Sequence, residues 1–186
     1  MNAELIGVLG TLLGTILGWF LSDISRRGKL YIYAEMNDMF EHNHKGTMVI
    51  SRDQDVAQFY SYSISIDLHN SSGDPRIMRK IELSFSNGKC ELFRITPDDD
   101  NTGRRIGPMR YYDKIRPLTI PAKSVVTVNL HGGLWESEDL FSKIWETKEV
   151  YLIYKDDKNK EVKVLIKTED FSCYFKNHSE KMENRT

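Results

Sequence analysis

The chain opens with an unbroken apolar run and then changes character. Residues 5–21, LIGVLGTLLGTILGWFL, carry no charged side chain. A helix over this run rises about 26 Å, close to the roughly 30 Å hydrocarbon core of a bilayer. Trp19 and Phe20 fall at its C-terminal boundary, where membrane helices place aromatic rings. A cleaved signal peptide needs a basic start and a small-residue cleavage site. Here Glu4 precedes the run, and Gly18, Trp19, Phe20 and Leu21 close it. The pattern therefore predicts an N-terminal transmembrane helix.

After the run, the period shortens to two. In residues 59–69, FYSYSISIDLH, Tyr60, Tyr62, Ile64, Ile66 and Leu68 alternate with Ser61, Ser63, Ser65 and Asp67. That alternation predicts a half-buried strand. Residues 70–75, NSSGDP, form a turn cluster, and Ile77 to Phe85 resumes with Ile77, Ile81, Leu83 and Phe85 as its inward set. Asn87-Gly88 predicts a hairpin into Lys89 to Ile95. Leu30 to Met36 and Val125 to Leu130 also read as strands, with a further short one at Thr47 to Ile50. Glu149 to Tyr154 and Glu161 to Lys167 flank a polar turn, DDKNK, at 156–160. The total is roughly seven or eight strands, a number that suits a sandwich. One short helix is expected after Ser137 as N-cap, with Leu140, Phe141, Ile144 and Trp145 as its apolar stripe.

The segments YSISIDLHNSSGDPRIMRKIELSF and LTIPAKSVVTVNL resemble immunoglobulin-like sandwiches of small bacterial or phage proteins with an N-terminal anchor. The resemblance lies in strand-and-turn grammar and implies a fold and a binding habit. It supplies no catalytic residues. The expected fold is an all-β antiparallel immunoglobulin-like sandwich with one short helix, preceded by the transmembrane helix. The expected divisions are 1–28 for the anchor and its basic flank, 29–175 for the sandwich, and 176–186 for a polar disordered tail.

Charge around the anchor predicts topology. Arg26, Arg27 and Lys29 follow the run and none precedes it. Basic flanks stay on the cytoplasmic side. A single-pass protein of the inner or plasma membrane, with a cytoplasmic C-terminal domain, is the expectation. Trp19, Arg26, Arg27 and Lys29 are then the interface residues, with membrane lipid as a partner. Gly7, Gly10, Gly14 and Gly18 share one helical face with Thr11 and Thr15. Such a strip of small residues lets two helix backbones approach, which predicts a homo-oligomer.

The net charge of −1 removes any global attraction to nucleic acid. Two cysteines, Cys90 and Cys173, are too few for a disulfide scaffold and are expected as free thiols. No catalytic constellation emerges. His131-Gly132-Gly133 has no accompanying GxSxG elbow and reads as a turn. Asp98 to Gly103 matches a calcium loop at its first and sixth positions. Thr102 at the fifth and Met109 at the twelfth depart from it. His42 and His44 lie in a stretch that reads as a polar loop and offer too few ligands for a metal. The Asn-x-Ser/Thr triplets at Asn70, Asn177 and Asn184 have no meaning in a cytoplasmic domain. No cofactor or metal is expected.

The segment Thr96 to Pro117 is the exception. It reads as a long loop that begins with three Asp and then turns basic: Arg104, Arg105, Arg110, Lys114 and Arg116, with Tyr111 and Tyr112 among them. Guanidinium groups grip anions bidentately, and aromatic rings cover apolar surface. These seven residues are the candidate site for an anionic ligand or a protein partner. The expected function is a membrane-anchored, non-catalytic interaction or sensor module. The alternatives are a membrane-acting defence or toxin effector triggered by an anionic or nucleotide ligand, and an enzyme acting on a phosphate-bearing substrate.

Overall fold

The computed structural model describes residues 3–51, 53–107 and 109–168. The expected tail at 176–186 and Cys173 lie outside the described residues. The chain begins with α1 (Ala3–Arg26), a helix of 24 residues. It then forms β1 (Leu30–His44), β2 (Thr47–Ile50), β3 (Phe59–Asn70), β4 (Arg76–Ser86) and β5 (Glu91–Ile95). Next come β6 (Asp98–Asp99), β7 (Arg104–Ile106), β8 (Met109–Tyr111), β9 (Leu118–Ile120) and β10 (Ser124–Trp135). A one-turn helix α2 (Phe141–Ile144) precedes β11 (Glu149–Lys155) and β12 (Glu161–Lys167).

Two antiparallel sheets enclose the core. The first runs β2-β1-β3-β10-β6, and the second runs β12-β11-β4-β5, with β9 also pairing β4. β3 is the spine of the first sheet. Its inward row of Tyr60, Tyr62, Ile64, Ile66 and Leu68 is buried, as the alternation requires. Each of these residues faces a partner on both sides: Ile66 lies between Ala34 and Val128, and Ile64 between Met36 and Leu130. A one-residue slip would turn Ser and Asp inward, so burial itself fixes the register. Leu83, Phe85, Val150 and Leu152 supply the facing layer from the second sheet.

The second sheet departs from the expected phase. Ile77 is exposed and Met78 is buried instead. The cause is Lys80, which sits at φ +50 and inserts an extra residue between Arg79 and Glu82 in the ladder with β11. Such a bulge shifts the alternation by one, so Met78 and Ile81 both face inward.

Three other expectations change. β1 continues to His44, so His42 and His44 stand on a strand rather than in a loop. Their stretch is held by β2, where His42 pairs with Val49. Gly132-Gly133 is interior to β10 rather than a turn after it. The helix is shorter than its apolar stripe suggested, and Ser137 does not cap it. Instead Trp145 leaves the helix to stack on Phe40, with ring centroids 4.0 Å apart.

Among the described residues, no helix is long and apolar enough to cross a membrane. The backbone of α1 nonetheless contains the whole uncharged run of residues 5–21. Its described side chains meet no core: Leu12, Ile16, Leu17 and Phe20 are each more than half exposed. At its end, Arg26 reaches Asp74 at 3.9 Å, and the Gly28 carbonyl accepts a hydrogen bond from Arg76 at 2.9 Å. α1 thus enters the sandwich at the foot of β1.

Candidate functional site

The segment after β5 is built by short pairings rather than left as a loop. Asp98 and Asp99 pair with His131 and Leu130 on the edge of the first sheet. The Asp99 side chain accepts a hydrogen bond from Asn101 N–H and starts a 3-10 turn over Asp100–Thr102. Asp113 N–H returns to the Thr102 hydroxyl at 2.8 Å, and Asp98 bridges Lys114. These contacts close the neck of a hairpin, β7–β8, whose turn is made by Gly107 at φ +62.

The hairpin has two exposed faces. In its register Arg104 faces Tyr111, Arg105 faces Arg110, and Ile106 faces Met109. Period two therefore puts Arg105 and Arg110 on one face, and Arg104, Ile106, Met109 and Tyr111 on the other. All six residues are exposed. The structure separates the two candidate tyrosines. Tyr111 lies on the hairpin, whereas Tyr112 packs on His131 with ring centroids 3.8 Å apart. A Cβ on Gly103 would meet the Tyr112 ring at 2.7 Å, so only glycine leaves room for this packing.

The basic residues sort into two groups. Asp113 holds Arg104 at 3.1 Å and Arg116 at 3.8 Å, and Asp98 holds Lys114 at 3.0 Å. These pairs are local neutralisation. Arg105 and Arg110 form no ion pair within 4 Å among the described residues, although the Asp100 charge acts on Arg110 from farther away. Arg105 donates to the Gly107 carbonyl at 3.1 Å. Arg110 lies 3.4 Å from the Tyr112 hydroxyl, and that contact pushes its pKa further above the usual range. Like charges directly opposite on a ladder repel, and an anion between them relieves the repulsion. Sequence reading grouped all five cations alike. Only the register distinguishes the unpaired two.

The predicted residues of the anchor lie at the other end. Thr11 and Thr15 donate to the carbonyls of Gly7 and Thr11, each at 2.9 Å, so their hydroxyls are satisfied within α1. A Cβ at Gly7, Gly10, Gly14 or Gly18 would meet nothing within 4 Å, which leaves the strip uncovered. Trp19 is exposed, Arg27 pairs with Asp23 one turn earlier, and Lys29 N–H donates to the Ser71 hydroxyl. His42 and His44 have ring centroids 6.4 Å apart, and among the described residues no group of three metal-ligating side chains forms.

Two antiparallel sheets closed over one core, with an edge hairpin displayed to solvent, define an immunoglobulin-like sandwich domain. The model of the YopI Ig-like domain family matches residues 28–167, and the chain belongs to this family. It is 27% identical over 165 residues to the SPbeta prophage-derived uncharacterized protein YopI of Bacillus subtilis (strain 168). That alignment covers 86% of this chain and 92% of the relative. Two solved structures are similar at 10% identity. One, an X-ray structure from the Northeast Structural Genomics Consortium, covers 74% of this chain and 82% of its own at a TM-score of 0.35. The other, the apo PmoF2 PCuAC domain, covers 77% and 94% at a TM-score of 0.28. At these scores neither likeness carries a functional argument.

Proposed function

We propose that the chain is a single-pass, membrane-anchored interaction module without catalytic activity. In this reading α1 spans the inner or plasma membrane, the sandwich lies on the cytoplasmic side, and the β7–β8 hairpin docks an acidic protein partner. The observation that carries the anchor is the exposure of α1. An uncharged run as long as residues 5–21, whose described side chains meet no core, is stable only where lipid replaces water. Arg26, Arg27 and Lys29 follow it and favour the cytoplasmic orientation. The uncovered glycine strip supports self-association of the anchor.

The two faces of the hairpin favour a protein over a lipid surface. Arg105 and Arg110 offer guanidinium groups on one face, while Ile106, Met109 and Tyr111 present apolar area on the other. The neck of the hairpin joins β10 at Leu130, six residues from the foot at Ser124. At 3.3 Å per residue that is about 20 Å, or about two and a half Debye lengths at physiological salt.

The test changes Arg104, Arg105 and Arg110 together to Gln in the full chain. Pull-down of partner proteins should fall at low salt, with unchanged thermal unfolding. Flotation of the solubilised chain with anionic vesicles should differ little from the parent. Unchanged protein capture by the folded triple variant would refute the hairpin as the docking site.

A further inference from the structure

The sandwich is not closed on the side where β10 and β5 approach each other. A cleft of about 520 Å³ opens there between the two sheets, within the size range of small-ligand sites. Tyr62, a residue only 4% exposed, lines it. The ring of Tyr62 lies across β10 at Gly132, where any Cβ would come within 2.3 Å of the hydroxyl oxygen. The glycine leaves room for the Tyr62 ring to reach the cleft. Leu134 and Leu140 give the cleft apolar walls, and Asp98, Lys114 and Glu138 stand at its rim.

All three of these rim groups are already engaged. Lys114 is paired with Asp98 at 3.0 Å, and Glu138 accepts from Trp135 N–H at 2.9 Å. Tyr62 makes no hydrogen bond to the described residues. Burial first, and then the Asp98 charge, hold its pKa well above the ordinary phenol range, so the group is a proton donor at neutral pH. The hydroxyl is not sealed off from the cleft, so a ligand acceptor can take the place of solvent there and keep its hydrogen bond. With two carboxylates and one ammonium around it, the rim opposes an anion.

We propose that this cleft is a binding site for a small neutral molecule that places a carbonyl or hydroxyl oxygen on Tyr62 and a compact apolar body between Leu134 and Leu140. The site is separate from the hairpin face and does not depend on how the hairpin acts.

Cyclohexanone serves as the probe, and the full chain in detergent micelles, methyl-labelled at leucine, is the sample. Leu134 and Leu140 report the cleft, and Leu17 in α1 reports partition of the probe into the micelle. The expected result is saturable shifts at Leu134 and Leu140 against a linear drift at Leu17. Tyr62→Phe should weaken the saturable binding at least tenfold. Leu140→Trp, which fills the mouth, should abolish it and decides the matter if the Phe variant does not fold. Cyclohexanecarboxylate should give no saturable shift. Linear shifts at every leucine, undiminished binding in a folded variant, or tighter binding of the carboxylate would each overturn the proposal.

Discussion

Asp38 and Lys167 form a buried ion pair that ties β1 of the first sheet to β12 of the second. Their side chains are 3% and 9% exposed, and Asp38 also accepts the Tyr60 hydroxyl at 3.0 Å. Removing one member of a buried pair leaves the other charge uncompensated, at a cost of about 3–5 kcal/mol. Lys167→Met should lower stability by that order in urea unfolding. The double change Asp38→Asn with Lys167→Met should cost less than Lys167→Met alone, because Asp38 is then no longer left charged without its lysine. Equal loss in both variants would show that packing, not charge, holds this edge.

Gly132 and Tyr62 are coupled in the same way by space. Gly132→Ala should destabilise the domain by about 1–3 kcal/mol, since the new methyl meets the Tyr62 hydroxyl. In a Tyr62→Leu background the same alanine should cost at least about 1 kcal/mol less, the signature of a direct contact in a double-mutant cycle. Additive effects would place the strain elsewhere.

Alkaline pH should unfold the domain earlier than its near-neutral charge suggests. Burial raises the pKa of Tyr62, and of Tyr154 in the second sheet, above the ordinary value near 10. The unfolded chain then releases these protons first, so stability is constant below about pH 10 and falls above it. The slope for Tyr62 is up to about 1.4 kcal/mol per pH unit. Urea midpoints between pH 9 and 11 should fall, and Tyr62→Phe should flatten the trend. An identical slope in the variant would contradict the assignment.

The strands were legible wherever local alternation decided burial. The inward row from Tyr60 to Leu68 followed from period two alone, and β11 and β12 followed from the polar turn between them. What the sequence hid depended on partners distant in the chain. The bulge at Lys80 is a property of the ladder with β11, so Ile77 and not Met78 was the natural inward residue. Gly132-Gly133 suggested a turn because paired glycines permit positive φ. Its reason here is the close approach of Tyr62 and Phe59 from β3. The basic segment betrayed its charge but not its register. The opposition of Arg105 and Arg110, and the departure of Tyr112 toward His131, arise only once the hairpin is closed.

Self-association of the anchor has its own readout. Gly14→Ile places a branched side chain in the middle of the small-residue strip, where Gly14 meets nothing within 4 Å. The variant should reduce a membrane two-hybrid signal several-fold while leaving membrane insertion unchanged, because close backbone approach is lost. An unaltered signal would exclude this face as the interface.

Alkaline carbonate extraction of membranes from cells expressing the full chain tests the central claim most directly. Carbonate strips peripheral proteins and leaves spanning ones in the pellet. The chain should remain in the pellet, and a variant with Leu12, Leu13 and Ile16 changed to Asp should move to the supernatant. Full release of the unaltered chain into the supernatant would contradict the anchored-module account.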